Sequence, residues 1–309
     1  MTEQPFVSII IPVYNSAPTL SYSLPPLQQQ NYPADRYECI LVDDGSDDEL
    51  AEALTAVADD PRFTVLQHKS NRGLAAARNT GIARARGEIL IFLDADLEVL
   101  PDFIERMVSN LGKPQRIGVL ARLLPASENP YDKYQRYLYE GKRGAKKSNP
   151  GSALPYRAVM FNITALKREA LEREPGFDEA ISSYGGEDTE LAYRLSQHFP
   201  QGFIYDPTIT AVHHHYREFR SVLTKIEEFG QRVIPYLIRK HPAMGSIYGL
   251  EYLNGSSLFK RLGGRLLQSK LSHCCLSILL ALMPFPLSNG IIKLLMASAL
   301  LRGIAKGTA

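Results

Sequence analysis

Tryptophan is missing from this chain of 309 residues, and cysteine occurs only three times. Cys39, Cys274 and Cys275 are odd in number and lack the paired spacing of a metal site, so neither a disulfide framework nor a cysteine-held zinc is expected. Cys39 falls in an apolar run and reads as a small buried hydrophobe. The opening stretch, "MTEQPFVSIIIPVYN", has no basic region, and its apolar run is too short for a signal peptide. A reducing, cytoplasmic setting is the expectation. No internal repeat or low-complexity tract is visible. No G-x-G-x-x-G turn follows the first apolar run, which speaks against a dinucleotide-dependent dehydrogenase.

What is present begins with an uneven distribution of charge. The formal net charge is +2, and no nucleic-acid partner is expected. From Gln231 to Ala309 lie ten of the 35 Lys and Arg but one of the 33 acids, Glu251, leaving 25 basic and 32 acidic side chains before them, a net of −7. An acidic front and a basic, oily tail suggest two jobs. The length suits one large domain, or one domain with an accessory segment.

Four apolar runs mark strands in the first hundred residues: "FVSIII" (6–11), "ECILVD" (38–43), "FTVLQH" (63–68) and "EILIFLD" (88–94). They are nearly continuous, as expected of parallel strands covered on both faces. Helical patterns at 47–60 and 73–87 separate them, while the first connection, around Pro25 and Pro26, is less regular. This alternation predicts a βαβ architecture. A long loop or loosely helical excursion is expected over 125–156, then a strand and helix over 156–174, a helix within 176–197, and a last strand over 208–215. In open α/β sheets ligands bind at the carboxyl ends of strands, and the polar groups collect there.

Each polar group admits two readings. Asp94 and Asp96 end a strand and suit Mg²⁺ or Mn²⁺, which complete their shells with water and phosphates; a capped turn is the alternative. Asp43 and Asp44 in "VDDGSDD" can accept hydrogen bonds from a base or ribose, or close a turn beside a helix cap. "SNRGLAAARNTG" places Asn71, Arg72 and Arg78 around a helix start, where anions are favoured, although Arg78 on a solvated face reads equally well. In "YGGEDTELAYRL", Glu187 and Asp188 suit a helix N-terminus by charge and equally suit a general base. Of the three histidines in "AVHHHY", His213 and His215 share one strand face and His214 points away; phosphate or metal ligation is favoured over a structural role.

As a set these segments resemble family 2 glycosyltransferases, enzymes of the GT-A fold that move a sugar from a nucleotide-diphosphate donor. The resemblance runs in family order from "VSIIIPVYN" through "ILVDDGS", "NRGLAAARNTGI", "GEILIFLDADLEV" and "GFDEAISSYGGEDTELAYRL" to "AVHHHY". It implies an α/β fold with a Rossmann-like, mostly parallel sheet flanked by helices and followed by a C-terminal helical extension. It further implies a nucleotide pocket at Pro12, Tyr14 and Asn15, base and ribose contact at Asp44 with Asp43 beside it, and polar contacts near base and diphosphate from Arg72 and Arg78, with Asn71 close by. The D-x-D of Asp94, Ala95 and Asp96 is implied to meet donor and metal. Asp188 is implied to be the catalytic base with Glu187 as neighbour, and His213, backed by His215, to complete the shell of a Mn²⁺ or Mg²⁺ ion. The reaction implied is inverting and needs no covalent intermediate. The Q-x-x-R-W motif of processive, polysaccharide-extruding members is absent, since "EEFGQRVIPYL" has Gln231 and Arg232 adjacent and no tryptophan follows. A catalytically silent nucleotide-sugar-binding scaffold and a nucleotidyltransferase on a related fold are the competing readings.

Residues 1–222 are expected to form the catalytic domain, with a nucleotide-binding half (1–100) and an acceptor-binding half (101–222). Residues 223–309 form the basic, apolar remainder. Within it, "LSHCCLSILLALM" (271–283) and "IIKLLMASALLRGI" (291–304) predict two helices too short to span a bilayer, since about 20 residues are needed. Basic residues flank them, which suits docking at the cytoplasmic face of an anionic membrane. Packing on the protein's own core or in a homo-oligomer is the alternative. A glycan, glycolipid or polyprenyl-linked acceptor is expected. Lys142, Arg143, Lys146 and Lys147 read as solvated surface charge.

Overall fold

The structure is a computed structural model that describes residues 4–307. Its chain divides into two compact units: Met1–Asn129, Lys142–Ser182 and Glu187–His215 in the first, Pro130–Gly141, Ser183–Gly186 and Tyr216–Ala309 in the second. No single cut separates them. The boundary expected after residue 222 falls after His215, and two short segments from the middle of the chain join the tail.

The first unit is built on a mixed sheet of eight strands: β1 (Val7–Val13), β2 (Tyr37–Asp43), β3 (Phe63–Gln67), β4 (Ile89–Leu93), β5 (Leu97–Val99), β6 (Gly118–Pro125), β7 (Ile163–Lys167) and β8 (Phe203–His213). They lie in the order β3-β2-β1-β4-β7-β6-β8-β5. The four expected strands pair in parallel. β7 runs antiparallel between β4 and β6, β8 returns parallel to β6, and β5 closes the far edge antiparallel to β8. Every residue of β2 and β4 is buried, as their unbroken apolar runs require. β3 departs from that expectation: it is an edge strand and half exposed, because β2 is its one neighbour.

Helices cover the sheet: α1 (Ala17–Gln28), α2 (Leu50–Leu54), α3 (Leu74–Arg84), α4 (Phe103–Asn110) and, later in the chain, α6 (Glu187–His198). α1 is regular despite Pro25 and Pro26. Both prolines fall in its last turns, so few backbone bonds are lost, and Leu20, Leu24 and Leu27 are fully buried along one face. The helix expected after β7 is only a 3₁₀ turn at Arg168–Ala170, with the Arg168 guanidinium donating to the carbonyls of Ala85 and Gly87 at 2.6 Å each. β8 begins five residues earlier than the expected start at 208. Lys146 is half-buried rather than solvated. Burial lowers its ammonium to a pKa of about 8, with Arg143 and Arg122 adding repulsion.

The second unit is helical. It contains α5 (Lys133–Tyr139), α7 (Phe219–Arg232), α8 (Ile234–Lys240), α9 (Glu251–Asn254), α10 (Leu258–Gln268), α11 (Lys270–Leu282) and α12 (Ser288–Gly307). α12 has 20 residues and by length and composition is apolar enough to cross a membrane, unlike the short helix expected there, although 44% of its apolar window is buried. α5 and α10 contribute to that burial, and α7 makes the most intimate contact. A Cβ on Gly303 would lie 2.1 Å from the Glu227 carbonyl oxygen, and one on Gly230 would lie 2.6 Å from that of Leu300, so the two backbones meet where side chains are absent. Glu227 then bridges to Arg302 at 3.0 Å and Lys306 at 2.5 Å.

This contact predicts that Gly303→Val lowers unfolding free energy by upwards of about 2 kcal/mol, because the clash is with backbone and no side chain can yield. Gly263 in α10 has no neighbour within 4 Å of its would-be Cβ, so Gly263→Ala is expected to gain about 0.5–1 kcal/mol. Urea unfolding of the full chain measures both. An unchanged midpoint for Gly303→Val would contradict the packing.

Candidate functional site

Two clusters form at the carboxyl ends of the parallel strands. The first ties the loop after β1 to the loop after β2. Asn15 has a positive φ of 49°, an αL conformation that asparagine tolerates better than most residues. Its amide Oδ1 accepts from the Asp47 N–H at 3.0 Å, while its own N–H donates to Ser46 Oγ at 3.1 Å. Asp43 accepts from Ser46 N–H at 2.8 Å and from the Gln67 side chain at 2.9 Å. Asp44 is turned inward. It accepts from the N–H groups of Arg72 (2.9 Å) and Gly73 (2.8 Å), and pairs with His68 Nδ1 at 2.6 Å. These bonds fasten the β3–α3 loop, which Gly73 closes with φ 93° as the residue before α3. Pro12 is half-buried, and Tyr14 is about half exposed at the rim. Arg72 is exposed and paired with Glu179 at 3.0 Å, and Asn71 is exposed.

The second cluster lies around Arg78. Its side chain is 1% exposed, so the surface reading of this arginine is corrected. Small residues on either side, Ala75, Ala76 and Ala77 before it and Gly81 after it, let α3 approach the sheet closely enough to bury it. The guanidinium lies over the Phe177 ring, 5.1 Å from its centre, and Phe177 packs edge-on against Phe92 and Phe161. Nη1 donates to Asp188 at 2.7 Å and lies 3.6 Å from Glu187, and Nη2 reaches Asp94 at 3.3 Å. Both Nη atoms of Arg78 thus face carboxylates, while its Nε has no hydrogen-bond partner among the described residues.

One guanidinium among three acids leaves a surplus of negative charge. Loss of solvation pushes the Asp94 carboxyl up to about 7; Arg78 opposes the shift, and Asp96 and Asp188 add to it. Asp94 is ringed by protein yet keeps 36% of its side chain open. Burial likewise raises Glu187 to about 7, Asp188 adding to the effect. For Asp96, burial again disfavours the charge, but a hydrogen bond from His213 and the nearness of His215 outweigh it and hold the group below the ordinary value.

Asp96 belongs to a separate arm of the site. His213 Nε2 lies 3.3 Å from its Oδ2, and His215 Nδ1 lies 4.0 Å away. The backbone enforces this proximity. β5 follows Asp96 directly, Leu97 pairs with His213, and the His214 N–H donates to the Asp96 carbonyl at 2.9 Å. His214 faces the other way, bridging Glu98 and Glu128 at 2.7 Å each and stacking on Tyr22 at 4.0 Å. Ala95 is buried. The sequence reading had missed Phe177, His68, Asn79, Glu98 and Glu128. Asn79 ties α3 to the 177–179 loop through Phe177 and Glu179. Its place in "AAARNTGI" was the available signal.

Among the described residues no three His, Cys, Asp or Glu side chains enclose an ion by themselves. The arm at Asp96 nevertheless fits a hard divalent cation. Asp96 Oδ1 is buried with no hydrogen-bond partner among the described residues, an imidazole stands beside the other oxygen, and Mg²⁺ and Mn²⁺ commonly take one or two protein carboxylates and fill the rest of the shell with water and phosphate.

The model of the family described as glycosyl transferase family 2 matches residues 8–173, and that described as the N-terminal domain of galactosyltransferase matches 142–218. A pre-mycofactocin glycosyltransferase of Mycobacterium tuberculosis is 29% identical over 241 residues, 76% of this chain and 48% of its own length. Glycosyltransferase AglE of Haloferax volcanii is 41% identical over 110 residues, 35% of this chain and 36% of its own length. The chain thus spans half or less of these relatives. Among solved structures, the mannosyltransferase PcManGT of Pyrobaculum calidifontis, in complex with GDP-Man and Mn²⁺, superposes with a TM-score of 0.64 at 22% identity, covering 97% of this chain and 88% of that one. S. aureus TarS 1–349 in complex with UDP gives 0.55 at 15% identity, with 96% and 90% covered. The fold is therefore GT-A, as the mixed sheet and its C-terminal helices already indicated. With the family match covering more than half the chain, from β1 to just beyond β7, the chain belongs to glycosyl transferase family 2.

Proposed function

We propose that the protein is an inverting, metal-dependent glycosyltransferase that moves a sugar from a nucleotide-diphosphate donor to a hydroxyl of a discrete glycan or lipid-linked acceptor. The observation that carries this reading is the buried Arg78 facing Asp94, Glu187 and Asp188, with the unpartnered Asp96 Oδ1 on the adjoining arm. Such a concentration of acid is costly in a protein interior unless further positive charge arrives with a ligand. The presence of Mn²⁺ beside GDP-Man in a protein of the same fold is consistent with that need.

Asp96, with His213 at its side, would hold the divalent ion, which when bound neutralises the donor diphosphate and eases its departure. Asp188 would take the proton from the acceptor hydroxyl. Its Oδ1 is engaged by Arg78, which leaves Oδ2 for that proton and fixes the direction from which it is drawn. The acceptor oxygen forms its bond to the anomeric carbon as the bond to the diphosphate breaks, and the electron pair leaves with the nucleotide. Attack from the opposite face inverts the anomeric centre. Glu187, raised by burial to about 7, would carry its proton part of the time near neutral pH and so lessen the negative charge beside Asp188. The lack of a Q-x-x-R-W motif supports transfer of one or a few sugars rather than extrusion of a polymer.

Three substitutions test these roles. Asp188→Asn is expected to reduce nucleotide release from the true donor by at least about a hundredfold while leaving donor affinity by calorimetry near its original value. Asp96→Asn is expected to weaken metal-dependent donor binding itself. Uptake of UDP- or GDP-sugars that is indifferent to chelator, or turnover that survives Asp188→Asn, would refute the mechanism. Arg78→Met leaves three acids without their counter-charge and is expected to lower stability by about 3–5 kcal/mol in urea unfolding, a loss that the Asp188→Asn variant should partly restore when combined with it.

A further inference from the structure

The second unit carries an apolar surface that its own fold leaves open. In α10, Leu258, Leu262 and Leu266 recur every four residues on one helix face with Phe259 beside them, and all four are exposed, Phe259 to 87%. α11 is more unusual. It is thirteen residues long, and among the described residues none of its side chains is buried. Leu271, Ile278 and Leu282 form its outer stripe, Leu271 at 74% and Leu282 at 72%, and Leu287 extends the surface into the next turn. Exposed apolar area on this scale marks a surface that meets another phase or another protein.

The helix is nevertheless held in place. Lys133 of α5 donates to the carbonyls of Leu280 and Ala281 at 2.8 and 2.7 Å, and Arg136 covers the Phe285 ring at 4.0 Å. Ser269 caps the start of α11 through the Ser272 N–H. α11 therefore seats Leu280 in the cluster around Ile292 of α12 while presenting Leu271, Ile278 and Leu282 outward.

Charge selects the occupant. From Tyr252 to Ala309 there is no Asp or Glu. Arg261, Arg265 and Lys270 are exposed on the same two helices as the leucines. A protein partner would have to present an acidic rim around a wide apolar face, whereas an anionic lipid leaflet offers both at once: headgroups for the cations and acyl chains for the leucines. We infer that α10 and α11 form a monotopic membrane anchor whose leucine faces enter one leaflet of an anionic bilayer, α12 remaining in the protein because α7 occupies its glycine face. The inference does not depend on the proposed transfer chemistry.

The absence of tryptophan provides a direct test. Phe259→Trp in the full chain introduces a single indole whose emission reports its surroundings. With vesicles of mixed phosphatidylglycerol and phosphatidylcholine the emission should shift to the blue and be quenched by brominated acyl chains. In flotation, binding should fall at least tenfold with pure phosphatidylcholine or in 0.5 M salt. Leu266→Ser with Leu271→Ser, and separately Arg261→Glu with Arg265→Glu, should each reduce flotation tenfold or more. Thermal unfolding and metal-dependent donor hydrolysis without vesicles should remain unchanged in both. An indole insensitive to vesicles, variants that float like the unaltered chain, or a dimer in solution that the leucine substitutions dissolve while no vesicle binds would each overturn the inference, the last by assigning the surface to a second copy. Loss of donor hydrolysis with vesicle binding intact would count against the catalytic reading alone.

Discussion

Arg78, itself 1% exposed, holds three carboxylates together, Glu187 and Asp188 buried with it and Asp94 open at the edge. Much of the first unit can be understood as support for that arrangement. α3 has to bring its alanine face against the sheet for the guanidinium to be buried, β4 has to end where Asp94 begins, and α6 has to start with Glu187 and Asp188. The aromatic floor of Phe92, Phe161 and Phe177 makes the pocket beneath the guanidinium dry and rigid. A charge cluster of this kind is poor evidence for stability in its own right, because the desolvation of the ions offsets most of their attraction. Its value lies in preorganisation: the acids are kept apart and oriented before any ligand arrives.

The parts of this arrangement legible in the sequence were those with a local signature. β1, β2 and β4 announce themselves as unbroken apolar runs, since strands covered on both faces have no polar side to display. Asp94, Asp96, Glu187 and Asp188 stand out as acids at strand and helix ends. Arg78 was visible only as an arginine on a helix, with surface and ligand readings evenly matched, because its main partner lies 110 residues away and burial is a property of the assembled sheet. β5 is too short for periodicity to register, and in β6 Arg122 breaks the apolar run. β3 has the composition of a covered strand but sits at the edge, a difference that depends on strand order rather than on its own residues.

The second unit follows a different logic. Its charge asymmetry and oiliness are compositional and could be read directly, whereas the length of α12 could not. Gly290 and the prolines before it suggested an interruption, yet Gly290 is taken into the first turns of the helix and only the prolines remain outside. Gly230 and Gly303, which look like weak points in isolated helices, are what allow α7 and α12 to approach each other. Tertiary contact thus turns a local liability into the feature that sorts one apolar helix into the protein and leaves another on its surface.

The ladder between β5 and β8 makes a rigid clasp from two stretches that are remote in the chain: the acid and the imidazole it carries are neighbours by backbone pairing, whatever lies in the sequence between them. The stretch between them braces this clasp rather than forming it: Glu128 pairs with His214 at 2.7 Å, and the Asn129 side chain donates to the His213 carbonyl at 3.4 Å. Because backbone register sets the pairing, any substitution on either strand that keeps the ladder also keeps the acid and the imidazole side by side.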